Sequence, residues 1–219
     1  RHCHGHRYGA GFPRGQYWAQ KHHRPHPSLR YGGGGGAGSG TLSSYTSKTD
    51  IDYVGDNHVG HKLDIYYPND GKATHNVIIH IYGSAWGSNN SKGSADHGTV
   101  GKAALDAGYI FVTPNHRTYG DALWPAQIND IKAVVRYVRG NAQKYKFDTS
   151  FIATSGFSSG AHLASLLVCA LPGECGDKPA LKNDWIQPVC GMVQATPASF
   201  VPWPESYPAM WGMMERAAG

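Results

Sequence analysis

The sequence has little charge, few cysteines and no long apolar run, and each shortage narrows what the protein can be. Charged residues make up only 16% of its 219 residues, and the net charge is +5. The basic residues form no continuous stripe, so we expect no nucleic-acid partner. No apolar run approaches the ~20 residues of a membrane span, so we expect none. The first residues also lack the apolar segment of a secretory signal peptide.

The four cysteines are too few to build a disulfide scaffold. Cys169 falls in an apolar helical segment, so we expect it to be a buried, free thiol. Cys175 and Cys190 could form one disulfide in an oxidising compartment or remain two thiols, and the sequence favours neither. The compartment is open for the same reason, with secretion and a periplasmic location among the options.

The chain divides by composition into three parts. Residues 1–45 are rich in histidine and glycine without a hydrophobic period, which predicts a disordered leader and linker. A metal-binding tract is the alternative, because imidazoles at short spacing bind zinc, copper or nickel, but this spacing fits no standard closed site. We therefore expect no metal and no cofactor. Residues 46–195 carry orderly apolar patterns, and residues 196–219 form an atypical, proline-rich tail without such patterns.

Short apolar runs alternate with helical patterns in the middle part. Strands are predicted at 51–54, 61–67, 77–82, 109–113, 151–154 and 189–193. Helices are predicted at 100–107, 125–145 and 161–168. Strands that alternate with helices predict an α/β fold, in which a mostly parallel sheet is covered by helices on both faces.

The most informative stretch is Gly156-Phe157-Ser158-Ser159-Gly160, which has the form G-x-S-x-G and lies between a predicted strand and a predicted helix. A serine in such a sharp turn exposes its hydroxyl, and the flanking glycines leave room for the crossing backbone. The next amide, that of Ser159, points into the same space and can stabilise an oxyanion. The pattern therefore predicts Ser158 as a nucleophile, whereas the motif without these flanks would be an ordinary turn.

A second loop follows the predicted central strand directly and reads Tyr82-Gly83-Ser84-Ala85-Trp86. Hydrolases with a serine in this kind of turn take their other oxyanion donor from such a loop, often within the sequence H-G-G-G. Here Tyr82 stands in the place of the histidine, and Ser84 and Ala85 stand in the places of the later glycines. Small residues let the backbone come close to a substrate oxygen.

Together these segments resemble the esterase/lipase branch of the α/β-hydrolases, and especially carbohydrate-esterase-like proteins of gut bacteria related to feruloyl and acetyl-xylan esterases. The resemblance is carried by segments 82–86, 88–92, 114–117, 124–131 and 156–162. It implies the α/β-hydrolase fold, with Ser158 as the nucleophile. It implies that the backbone amides of Ser84, Ala85 and Ser159 form the oxyanion hole. The implied activity is that of a serine carboxylic ester hydrolase, acting by acyl transfer on a small-molecule or oligosaccharide ester such as an acylated plant polysaccharide.

The roles of several aromatic and charged residues in the same region can also be considered from the sequence. Trp86, Tyr119 and Trp124 could line a substrate pocket or pack into the core. Arg117 and Asp130 are expected to pair and brace their loop rather than to act in catalysis.

Two histidines near the motif are expected to be structural. His80 lies in a buried strand, where a hydrogen-bonded core histidine is more common than a base. His162 follows Ser158 on the predicted helix, and this position lets it pack under the turn rather than reach over it.

The expected triad is incomplete in this sequence. Such a triad continues from the serine to an acid and then to a histidine, and the serine needs this base to become nucleophilic. His162 is the last histidine of the sequence. We therefore expect a partial hydrolase domain over residues 46–195, a truncated chain that lacks the C-terminal strands and is inactive as it stands. A non-catalytic binding protein on the same fold is the alternative, and the oligomeric state is open.

Overall fold

The computed structural model describes residues 42–170, 174–175, 188–198, 211–212 and 215–216. The predicted metal-binding tract and most of the predicted leader, like most of the tail, lie outside the described residues. Leu42 is only 5% exposed and packs with Phe111 in the core. The ordered domain therefore begins no later than Leu42, within the segment that the sequence assigns to the leader.

Within the described ranges, six strands form one sheet. They are β1 (Thr46–Asp52), β2 (Lys62–Tyr67), β3 (His75–Ile81), β4 (Ile110–Pro114), β5 (Phe147–Phe157) and β6 (Cys190–Gln194). The order across the sheet is β1-β2-β4-β3-β5-β6. β2 runs antiparallel to both β1 and β4, whereas β3 is parallel to β4 and β5, and β5 is parallel to β6. The predicted mostly parallel sheet is therefore confirmed, and β3 lies near its centre.

Helices cover both faces of the sheet, as the alternating pattern predicts. They are α1 (Lys102–Asp106), α2 (Ala126–Gly140), α3 (Ala142–Tyr145) and α4 (Ser159–Cys169). Short 3-10 turns lie at Val59–His61 and Lys92–Ser94, and a π-helical turn at His97–Gly101 leads into α1. Within the described part of the chain, no helix is long and apolar enough to cross a membrane.

Strand β3 shows how the core is divided between the two faces. Ile79 and Ile81 are fully buried and belong to the cluster that contains the apolar residues of α2 and α4. Ile78 points the other way and packs with Leu105 of α1. Because both faces are covered, the strand has the nearly continuous apolar sequence that is typical of a central parallel strand. Each such side chain contributes roughly 1.5–3 kcal/mol by leaving water.

The predicted helix over 125–145 is two helices in the structure. α2 ends at Gly140, and the Asn141 side-chain amide donates to the carbonyl of Tyr137, which also accepts the Asn141 backbone amide. Glycine is a poor helix former, and asparagine favours local bonds of this kind over helix continuation. Lys146 then has a φ of 60° and turns the chain into β5.

The described cysteines, Cys169, Cys175 and Cys190, are all free thiols. The structure therefore contains no disulfide between Cys175 and Cys190. The expectation that Cys169 is buried is wrong, because its side chain is exposed. The buried face of α4 passes through Leu163 and Leu167, and a residue two positions after Leu167 lies on the opposite side of a helix.

Among the described residues the sheet ends at β6, and every residue of this strand is exposed. Met192 and Val193 are 58% and 42% exposed. The strand contains no lysine and no proline, two of the features by which edge strands usually avoid pairing with other chains. In the part of the chain that the structure describes, β6 is therefore an apolar edge strand whose free side can pair with another strand. It lies next to β5, the strand that leads to Ser158.

A buried ion pair joins the loop after β4 to α2. Arg117 binds Asp130 through two side-chain nitrogens, with Nη2 to Oδ1 at 2.7 Å and Nε to Oδ2 at 3.0 Å, and its backbone amide donates to the same carboxylate at 2.8 Å. The Asp130 side chain is only 4% exposed. The predicted pairing of Arg117 with Asp130 is therefore confirmed.

His61 extends this network from the 3-10 turn before β2. Its Nδ1 lies 2.8 Å from Asp56 Oδ2, and its Nε2 lies 3.3 Å from Asp130 Oδ1. Burial alone would lower the pKa of His61, but the hydrogen bonds to Asp130 and Asp56 outweigh burial and raise the pKa above its ordinary value of 6.5. Burial alone would raise the pKa of Asp130, but the hydrogen bonds from His61 and Arg117 hold the pKa of that carboxyl below its ordinary value of 3.8. A protonated His61 ring can donate to both carboxylates at once.

Replacing Asp130 by asparagine should destabilise the fold strongly. The Asp130→Asn variant leaves two cationic partners without their shared carboxylate, and breaking a buried pair from one side costs about 3 kcal/mol. The measurement is the free energy of unfolding in urea. The matched control is Asp106→Asn, because Asp106 pairs with Lys102 on the surface of α1 and should matter little. Equal effects of the two substitutions would contradict the role given to the buried pair.

Replacing His61 by glutamine should cost stability in a pH-dependent way. The pKa of His61 is raised in the folded state, so its contribution is fully present below pH 6.5 and is lost as the pH rises through the raised value. The difference in unfolding free energy between the native chain and His61→Gln should therefore shrink from pH 5.5 toward roughly pH 8. His97→Gln should show the opposite trend, because burial lowers the pKa of His97. A pH-independent difference for His61→Gln would rule out the proposed charge of this ring.

Candidate active site

Ser158 lies in a strained turn between β5 and α4, as the motif predicts. Its φ is 53° and its ψ is −121°, a conformation that residues other than glycine rarely adopt. The side chain is partly exposed, and α4 begins at the next residue. The amide of Ser158 donates to the carbonyl of Gln194 on β6 at 3.0 Å, which ties the turn to the edge of the sheet.

Two glycines of the motif are needed because backbone segments pass very close to them. A Cβ on Gly160 would lie 2.2 Å from the carbonyl oxygen of Ile81 and 2.3 Å from that of Tyr82. A Cβ on Gly156 would lie 2.6 Å from the carbonyl group of Gly160. The start of α4 is thus packed directly against the end of β3, which leaves no room for any side chain at these two positions.

The loop after β3 is pressed against the same turn. A Cβ on Gly83 would lie 2.7 Å from the carbonyl oxygen of Phe157 and 2.9 Å from the Cβ of Ser158. The structure therefore brings together the two segments that the sequence assigns to one site. Phe157 itself is 48% exposed, so its ring forms an apolar surface beside Ser158.

A tight turn at Ser84–Gly87, here called the oxyanion turn, follows Gly83. The Gly87 amide donates to the Ser84 carbonyl at 2.9 Å, and both central residues have positive φ, 50° at Ala85 and 58° at Trp86. This is the backbone pattern of a type I′ turn, which glycine and asparagine normally supply. Alanine and tryptophan adopt it at an energetic cost, and such strain concentrates at functional sites.

The three predicted oxyanion donors differ in their availability. The Ser84 amide donates to Oγ of Ser159 at 2.9 Å, so in this structure it is already engaged. The Ala85 amide has no acceptor among the described residues. The Ser159 amide is in the first turn of α4, where backbone amides have no partner within the helix. Ala85 and Ser159 therefore offer the amides that can face a substrate oxygen.

Of the three predicted pocket aromatics, one is a core residue and the other two are partly buried. Trp86 is only 5% exposed and belongs to the main core cluster, so packing explains it. Tyr119 and Trp124 are partly buried and lie against that cluster. The Tyr119 amide donates to the carbonyl of Trp86 at 3.2 Å, which connects the loop after β4 to the oxyanion turn.

His162 supports the turn from inside the domain. Its ring packs edge-on against Trp86 at a centroid distance of 5.4 Å and lies 5.9 Å from the ring of Trp124. Its backbone amide donates to the Ser158 carbonyl at 3.1 Å. Burial lowers the pKa of His162 to about 4, so the ring is neutral at physiological pH. The prediction that it packs under the turn agrees with these contacts.

His80 is a core histidine, as the sequence predicts. Its Nδ1 lies 2.7 Å from Oγ of Ser155, and its ring stacks on Phe111. Burial lowers the pKa of His80 to about 4. Within the described residues, the Ser158 hydroxyl makes no hydrogen bond to an imidazole, and no cluster of side chains is suited to hold a metal ion.

Reasoning from the sequence missed three features of the site. These features are the hydrogen bond to the Ser159 hydroxyl, the close packing at Gly83 and the exposed ring of Phe157. The first two depend on how the loop after β3 packs against the turn at Ser158. The sequence contained a weak signal for Gly83, since glycine directly after a central strand indicates a close backbone approach. It contained none for the Ser159 hydroxyl.

The sequence is similar to those of known proteins. The sequence profile of the BD-FAE family matches residues 63–183. A probable carboxylic ester hydrolase of Mycobacterium tuberculosis, LipM, is 35% identical over 124 residues, which are 56% of this chain and 28% of LipM. The chain thus spans about a quarter of the length of this curated relative.

Two solved structures are similar at higher identity. A bifunctional GH43-CE protein from Bacteroides eggerthii is 53% identical with a TM-score of 0.54, covering 56% of this chain and 16% of that one. A truncated form of a carbohydrate esterase from gut microbiota is 46% identical with a TM-score of 0.56, covering 58% of this chain and 45% of that one. With its mostly parallel sheet, its sharp turn between β5 and α4 and a profile match over more than half of its length, the chain has the α/β-hydrolase fold and belongs to the BD-FAE family.

Proposed function

We propose that this chain carries the nucleophile and the oxyanion hole of a serine carboxylic ester hydrolase. The observation that carries the proposal is the strained conformation of Ser158, held against a second strained turn at Ala85 and Trp86. Each residue in such a conformation costs roughly 1–3 kcal/mol and persists where the surrounding structure enforces it. The esterase names of the similar proteins support the same chemistry.

The reaction is an acyl transfer in two steps. Oγ of Ser158 attacks the carbonyl carbon of the ester while a base takes its proton, and the alcohol then leaves with a proton as the ester C–O bond breaks. Water attacks the acyl-serine in the same manner, which releases the acid and restores the hydroxyl. In this proposal the amides of Ala85 and Ser159 bind the oxyanion of both tetrahedral intermediates, and one such donor is worth about 3 kcal/mol.

The described residues do not include the base that this mechanism needs. His80 and His162 are both neutral, but His80 bonds to Ser155 and His162 packs between two tryptophans beneath the turn. We infer that the base reaches Ser158 from the exposed side of the turn. The 219-residue chain by itself should therefore be a poor catalyst.

For the substrate we propose an acylated carbohydrate. The 46% identical structure is described as a carbohydrate esterase. The exposed ring of Phe157 lies beside Ser158, the ring of Tyr119 lies next to Gly87, and the ring of Trp124 lies next to His162. Aromatic rings offer large, rigid surfaces on which a sugar ring can rest, and Tyr119 adds a hydroxyl.

A non-catalytic binding protein on this fold is the second candidate. One observation favours it, namely that the Ser158 hydroxyl makes no hydrogen bond to a base among the described residues. The strain at Ser158, Ala85 and Trp86 argues against it, because a site that only binds ligands gains nothing from a strained serine.

Ser158→Ala should abolish covalent labelling of the chain by a fluorophosphonate probe. The native chain should label slowly, and its turnover of p-nitrophenyl acetate should be no more than roughly 10³-fold above the reaction with water, which oxyanion binding alone can supply. The matched control is Ser165→Ala, because the Ser165 hydroxyl bonds to the carbonyl of Ala161 within α4. Labelling that persists in Ser158→Ala, or that is lost in Ser165→Ala, would contradict the assignment of the nucleophile.

The substrate class can be tested by binding, which needs no base. The Ser158→Ala variant should bind acetylated xylo-oligosaccharide more tightly than the deacetylated oligosaccharide or p-nitrophenyl butyrate, as measured by quenching of tryptophan fluorescence. Adding Trp124→Ala should weaken this binding roughly tenfold in calorimetry, through loss of an aromatic contact. Tyr109→Phe is the control, because Tyr109 packs on Phe151 away from the site. A preference for p-nitrophenyl butyrate would indicate a general esterase instead.

A further inference from the structure

The side chain of Ser159 makes a contact that neither the mechanism nor the motif assigns to it. Its hydroxyl oxygen accepts the amide hydrogen of Ser84 at 2.9 Å, and Ser159 is only 1% exposed. Ser159 is the first residue of α4, whose position is determined by the close packing at Gly156 and Gly160. The acceptor for the Ser84 amide is therefore held by a rigid part of the site.

Ser84 is held at its other polar groups as well. Its carbonyl accepts the amide of Gly87 at 2.9 Å, and its hydroxyl accepts the amide of Ser88 at 3.3 Å. These two bonds lie within the loop after β3 and shape it. The hydrogen bond to Ser159 connects this loop to α4. This bond can therefore determine where the oxyanion turn lies relative to Ser158.

The oxyanion turn needs such an attachment because its backbone is unfavourable. Ala85 and Trp86 both have positive φ, which side chains with a Cβ rarely adopt. The far end of the turn is held by the amide of Tyr119, which donates to the Trp86 carbonyl at 3.2 Å. At the near end, the Ser84 amide is held by Ser159. Strain of this kind persists only where surrounding contacts enforce it.

We propose that Ser159 is a positioning residue for the oxyanion hole, through its side chain. Its hydroxyl holds the Ser84 amide, so that the next amide, that of Ala85, faces the substrate carbonyl. The oxyanion is then bound by the amides of Ala85 and Ser159, and not by that of Ser84. This inference rests on the proposed hydrolase function, and it assigns two separate roles to Ser159, a donor in the backbone and an acceptor in the side chain.

The two roles can be separated by one substitution. Ser159→Ala keeps the backbone amide and removes only the hydroxyl acceptor. In the 219-residue chain, exchange of the Ser84 amide hydrogen, followed by NMR, should become at least roughly tenfold faster, because the net strength of one such hydrogen bond corresponds to about that factor. The Ser158-dependent rate of labelling by a fluorophosphonate should fall roughly 10- to 100-fold, because misplaced groups in an active site lose that much.

Ser165→Ala is the matched control, since it makes the same change on the same helix to a hydroxyl bonded within that helix. It should change neither the Ser84 exchange rate nor the labelling rate. If Ser159→Ala does not fold, Ser159→Cys replaces it, because a thiol has nearly the same size and is a weak acceptor. The same two changes are then expected with smaller magnitude.

The outcomes separate this proposal from the proposed function. Unchanged Ser84 exchange in the Ser159 variant would overturn the hydrogen bond, and faster exchange with unchanged labelling would overturn its positioning role. Loss of Ser158-dependent labelling in Ser165→Ala as well would show that the effect is not specific to Ser159. Labelling that is independent of Ser158 would instead overturn the hydrolase function, whatever the exchange of the Ser84 amide shows.

Discussion

The close approach of three backbone segments is the constraint on which the rest of the site depends. The end of β3, the turn at Ser158 and the start of α4 meet where a Cβ on Gly160 would lie 2.2 Å from the Ile81 carbonyl oxygen. Carbonyl groups of a central strand cannot move aside, so only glycine fits at this contact. The chain between Gly156 and Gly160 must then turn sharply, which places Ser158 at φ 53° with its side chain outward.

A second constraint holds the loops around this contact. Asp130 on α2 binds Arg117 on the loop after β4 and His61 on the turn before β2. The Arg117 loop continues to Tyr119, whose amide bonds to the carbonyl of Trp86 in the oxyanion turn. Breaking the bonds of a buried carboxylate to its cationic partners is energetically costly, so this network keeps the loop after β4 and the turn before β2 in fixed positions relative to α2.

The two histidines near the motif are neutral. The ring of His80 packs on Phe111 and that of His162 packs on Trp86 and Trp124, and burial lowers the pKa of each to about 4. Neither ring carries a charge at physiological pH, so in the proposed mechanism the oxyanion is stabilised by oriented backbone amides. Such preorganised dipoles are effective because they need no rearrangement during the reaction. Under this proposal, binding of the oxyanion depends more strongly on the position of the Ala85 amide than it would in a site where a cation also binds the oxyanion.

The sequence by itself determined the fold class and the sharp turn at the candidate nucleophile Ser158, because both depend on local patterns. Apolar runs of strand length, the helical spacing after Pro125 and two glycines around Ser158 are properties of neighbouring residues. Apart from the predicted pair of Arg117 and Asp130, tertiary structure decided which polar groups meet. The acceptor for the Ser84 amide, the burial of Trp86 and the exposure of Cys169 depend on contacts between segments distant in sequence, or on which side of a helix is covered. The sequence pattern predicts that the loop after β3 lies close to the turn at Ser158. Only the tertiary contact shows that the Ser84 amide bonds to the Ser159 hydroxyl, which leaves the Ala85 amide without an acceptor among the described residues.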